Sequence, residues 1–99
     1  MNSTQRTHLA AERTRIGSRP GWTILESTIV PATRNLLGAR RDVAVVLSDS
    51  GTSPHRYHVA QTATDMFAGS SSHHHRLDDA LDHFRALTGD HAATQGALF

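Results

Sequence analysis

Between residues 73 and 88 apolar side chains recur at helical spacing, as Leu77, Ala80, Leu81, Phe84 and Leu87, and no other stretch of the chain is as regular. A helix with one apolar stripe must bury that stripe against a facing layer, so the rest of the chain has to supply one. Ser72 is placed to cap this helix. Asp78 and Asp79 lie near its N-terminal end, where the helix dipole favours anions, Arg85 lies toward the other end, and Gly89 suits the C′ position.

The facing layer reads as a sheet. Residues 22–30 (WTILESTIV) are rich in β-branched and aromatic side chains and stop at Pro31. Residues 43–47 (VAVVL) have apolar side chains on both faces, the pattern of a central strand covered on two sides. After the turn-forming stretch SDSGTSP, residues 56–64 (RYHVAQTAT) alternate so that Tyr57 and Val59 point inward and His58 opposite. The expected fold class is α+β, a three-stranded antiparallel sheet packed by one C-terminal amphipathic helix. The single domain covers 22–89. Residues 1–21 form a polar N-terminal arm, frayed or weakly helical, because Leu9 and Ile16 make only a narrow apolar stripe. Thr4 is its candidate cap. The Gly-Ser run at 69–72 is read as a flexible joint and 90–99 as a tail.

Ninety-nine residues support one domain with a modest core. The apolar residues of the first two strands exceed what one helix covers, so the second sheet face is expected to meet the arm, a second copy or another protein. Self-association is therefore expected. The chain has no cysteine, which excludes disulfides, thiolate zinc sites and a cysteine nucleophile. The polar start and the lack of a long apolar run point to a cytoplasmic protein.

All ten basic residues besides histidine are arginine, a bias that fits a GC-rich bacterial or phage genome. Their placement is more informative. Residues 1–41 carry seven arginines against Glu12 and Glu26, a balance of +5, whereas 42–99 carry three against seven aspartates, a balance of −4. Seven of the eight histidines fall in the acidic part, where carboxylates are expected to raise their pKa values.

The chain contains no G-x-S-x-G elbow, P-loop, G-x-G-x-x-G or H-E-x-x-H motif, so no enzyme and no cofactor are expected. His75, Asp79 and His83 are spaced i, i+4, i+8 along the expected last helix and are candidate metal ligands, with a solvated acidic surface as the plainer reading. Arg34, Arg40 and Arg41 in the 32–41 loop, with Arg13, Arg15 and Arg19 of the arm, are candidates for contact with a partner or with phosphates. The order of weak helix, three strands and helix is similar to that of double-stranded-RNA-binding domains, without their lysine-rich start to the last helix. The expected function is a small non-enzymatic interaction or regulatory protein, self-associating and binding a protein partner, such as an inhibitor or accessory factor of a mobile element. The alternative is a DNA-binding regulator using the arginine-rich arm and loop.

Overall fold

A computed structural model describes residues 2–31, 41–52, 54–64 and 69–96, with side chains described through residue 89. Helix α1 (Ser3–Gly17) is followed by strands β1 (Thr23–Val30), β2 (Val43–Asp49), β3 (Tyr57–Ala63) and β4 (Ser70–His74), and helix α2 (Leu77–Gly96) closes the chain. The strands form one antiparallel sheet in the order β1-β2-β3-β4. Among the described residues no helix is long and apolar enough to cross a membrane.

The α+β class and the three expected strands are present, and a fourth strand is added. Residues 70–74 pair with β3 from Tyr57↔His74 to Gln61↔Ser70, so the Gly-Ser joint is an edge strand. Side chains of serine and histidine give an edge strand no apolar face, which hides it from a pattern reading. With 70–74 extended, the last helix cannot start at His73 with Ser72 as its cap; it starts at Leu77. Gly89 does interrupt it, at φ 56°, a left-handed value that glycine adopts without strain. Residues 90–96, expected as tail, are helical.

Strand alternation splits the sheet into two faces. Val43, Val45 and Leu47 of β2 face α2 and form the main core with Val30, Val59, Ala80 and Phe84. Tyr57, Ala63, Leu81 and Leu87 pack around it. Ala44, Val46 and Ser48 turn to the other face, where α1 lies and Ile16 is buried. The arm thus forms a helix of 15 residues rather than a frayed segment. Its apolar stripe is indeed narrow, and polar anchors compensate. Asn2, not Thr4, is the cap. The Asn2 side chain accepts from the Gln5 N–H, and the Gln5 side chain accepts from the Asn2 N–H, each at 2.8 Å. Gln5 Nε2 donates to Asp42 at 3.1 Å, His8 Nε2 donates to the Thr62 carbonyl at 2.8 Å, and Arg13 donates to the Ser27 hydroxyl at 2.5 Å.

Because α1 covers that face over β1 and β2, a second copy is not required to bury it.

Candidate functional site

Helix α1 crosses the sheet above β1 and β2 and leaves β3 and β4 open beside it. The result is a cleft of about 620 Å³. Its floor consists of short side chains, Ser48, Ala60, Thr62 and Ser71, with Gly69 at its edge. One wall is the C-terminal half of α1, with Glu12, Arg15, Ile16 and Arg19; Trp22, His58 and His73 complete the lining.

The wall follows from helix geometry. His8 and Arg15 are seven residues apart and share the flank over β3, whereas Arg13 leans to the β1 side and reaches Ser27. The far wall follows from sheet geometry. His58 and His73 are cross-strand partners on the face turned toward α1. Their rings meet edge-on at 4.3 Å between centroids, and Trp22 lies 4.5 Å from His58 on its other side. The Arg19 guanidinium sits 4.8 Å from the centre of the Trp22 ring, a cation–π contact. Beyond His73, His55 follows at 6.0 Å and His75 lies 4.9 Å from His55. A cation, an indole and four imidazoles therefore form one continuous series along the rim.

The charges within this series are unevenly satisfied. Arg15 is held by Glu12 through two hydrogen bonds of 2.9 and 2.6 Å to one carboxylate oxygen. Arg19 rests on the indole. Burial pushes the His58 imidazole below its ordinary pKa, the neighbouring His73 ring adds to this, and a hydrogen bond to the His55 backbone partly opposes it. On the other face His83 is lowered as well, by burial first and by His74, 5.3 Å away, second. The expectation that aspartates raise the histidines fails for both. Asp78, Asp79 and Asp82 are exposed on α2, and the neighbours that matter are other imidazoles.

The sequence-derived metal candidates do not come together. His75 precedes α2, in the turn after β4, and keeps company with His55, whereas His83 lies within α2 beside His74 and Asp79 is exposed. The i, i+4, i+8 geometry needs all three on one helix, and the helix starts two residues after His75. Among the described residues no group of three or more metal-ligating side chains is arranged to hold an ion. Of the candidate arginines, Arg15 and Arg19 line the cleft and Arg13 lies on the opposite flank. Arg41 sits at the far end of the sheet, where its Nη1 donates to the Thr64 carbonyl at 3.4 Å. Arg34 and Arg40 lie outside the described residues. The sequence by itself does not bring Trp22, His58 and His73 together at one site. Alternation does place His58 opposite Tyr57, but nothing in SSSHH announces the strand that brings His73 to it.

The chain matches no known protein family, and comparison with curated proteins and with solved structures finds no match either.

Proposed function

We propose that this chain is a small non-catalytic interaction protein that holds an acidic segment of a protein partner in the cleft beside α1. The observation that carries the reading is the rim: Arg15, Arg19, Trp22, His58 and His73 converge over a floor of small side chains, which leaves space for a ligand and offers it cations, donors and one large aromatic surface. A serine–histidine contact does occur elsewhere, Ser72 with His74 at 3.0 Å, but the neighbour of that histidine is His83 rather than an orienting carboxylate. Self-association belongs to the same proposal through the outer edge of β4, the last strand of the sheet among the described residues, which contains no proline and no carboxylate and so lacks two common protections of an edge strand.

A titration of isotope-labelled protein with a short Asp/Glu-rich peptide tests the reading. Amide and ring shifts should concentrate at Trp22, His58 and His73 and should disappear in Arg19→Ala. The same titration with a short DNA duplex should move these positions less. Shifts that instead follow the duplex along Arg6 and Arg13, and fall steeply with salt, would replace this reading with the nucleic-acid one.

A further inference from the structure

The electrostatics of the cleft go further than an acidic segment in general. We infer that the cleft takes a tetrahedral oxyanion, a phosphoryl or sulfuryl group, between Arg19 and the His58–His73 pair, and that binding draws protons onto these imidazoles. This rests on the reading of the cleft as a binding surface and names what it binds.

Among the described residues the groups facing His58 can be taken element by element. From α1 and the turn after it come Glu12, Arg15 and Arg19, and of these the carboxylate is occupied by Arg15. From β4 and the turn that follows come His73 and His75, and from the β2–β3 turn comes His55. The carboxylate of Asp49, at the end of β2 on the α2 face, is taken by Arg56 just before β3, at 2.7 Å. Each imidazole in the series that accepts a proton therefore meets other imidazoles and Arg19, and among the described residues no carboxylate of the cleft is left over to balance it. An anion is the missing counter-charge.

Shape points to the same ligand. His58 and His73 meet edge to face at 80°, and among the described residues no group of three or more metal-ligating side chains gathers around them to hold an ion. They present separate donors once protonated. The guanidinium of Arg19 adds a planar fork suited to two oxygens of one group. The floor beneath is lined by Ser48, Thr62 and Ser71, which supply hydroxyls and no bulk. Four oxygens around one centre use donors arriving from several sides, whereas a carboxylate uses two.

Inorganic sulfate is the appropriate probe, because it stays a dianion across the range in which histidine titrates. Sulfate is added to the full chain at constant ionic strength, with chloride as the control, and followed by the shifts of the Trp22 indole and the His58 and His73 rings. Affinity should be higher at about pH 5.5 than at about pH 8, rising by at most about tenfold per pH unit for each proton taken up. His58→Gln with His73→Gln should abolish the rise, Arg19→Gln should weaken binding at every pH, and Glu12→Gln should strengthen it at the alkaline end by releasing Arg15. Inorganic phosphate and a phosphoserine peptide then distinguish a free ion from a group carried on a partner. Equal sulfate affinity at both pH values overturns the inference, as does a pH dependence that survives in the double variant or saturation that maps away from the cleft. If sulfate does not bind while the acidic peptide still moves Trp22, the oxyanion falls and the binding module stands; if neither ligand moves the cleft, both fall.

Discussion

The two faces of this sheet are built on opposite principles. Against α2, five aliphatic side chains from β1, β2 and β3 meet Ala80 and Phe84 in a closed apolar layer. Against α1, Ile16 is the helix's buried apolar residue, and the attachment is made by Gln5, His8 and Arg13 through hydrogen bonds. Burial of apolar area is indifferent to direction, so the first face can close completely. Hydrogen bonds fix particular atoms and leave gaps between them, so the second face keeps a cleft. The lesson is a division of labour: one face supplies the stability that lets the other stay polar and partly open.

The largest test of this contrast is Phe84→Ala. Phe84 is 1% exposed at the centre of the closed layer, and its loss should cost about 3–5 kcal/mol, read as a lower denaturant midpoint for the whole molecule. Ile16→Ala should cost less, about 2 kcal/mol, because the space it leaves adjoins a cleft that water already reaches. It should also act differently, with amide protection lost first in α1 while β2 and β3 keep theirs. If Ile16→Ala proves as costly as Phe84→Ala and equally global, the two faces are one core and the contrast is wrong.

Next in size is Gly69→Ala. A β-carbon there would lie 1.9 Å from the Gln61 carbonyl oxygen and 2.9 Å from Thr62 Oγ1, so β4 must move away from β3. A cost of about 1–3 kcal/mol is expected, together with broadened His58 and His73 signals, since the shift separates the cross-strand pair. Asn2→Ala should cost about 1 kcal/mol, the usual value of a helix cap, and exchange measurements should place the loss in the first turns of α1.

These sites also mark what the sequence could and could not reveal. The closed face was legible because apolar periodicity encodes it directly: Leu77, Ala80, Leu81, Phe84 and Leu87 announce α2, and VAVVL announces the strand beneath. Helix α1 was legible only as a weak pattern, since its anchors are contacts to residues 14 to 54 positions away, from Arg13 to Ser27 up to His8 to Thr62. No local rule predicts those. Strand β4 was illegible for a further reason: a serine run satisfies edge hydrogen bonding as well as it satisfies a linker, and what decides between them is pairing with β3. The cleft inherits both failures. Its wall depends on α1 and its rim on β4, so Arg15 and Arg19 were named as partner or phosphate contacts without the cleft they line, and His75, Asp79 and His83 were grouped on a helix that starts too late to hold them all.

The smallest effect expected is on acid stability, and it tests both faces at once. His58 faces the cleft and His83 faces α2's side of the sheet, yet burial lowers the pKa of each, assisted by His73 in one case and His74 in the other. An imidazole of this kind binds fewer protons in the folded than in the unfolded chain. Its contribution is therefore fully present above the unfolded value, about pH 6.5, and is lost as pH falls through the lower folded value. Denaturant midpoints should drop across that window, and His58→Asn and His83→Asn should each remove part of the drop. Ring-proton titrations should place both midpoints below the ordinary imidazole value. Sulfate separates the two: by stabilising the protonated rim it should raise the His58 midpoint and leave His83 where it was, because the cleft proposed to hold the ion is lined by His58 and lies on the opposite face from His83.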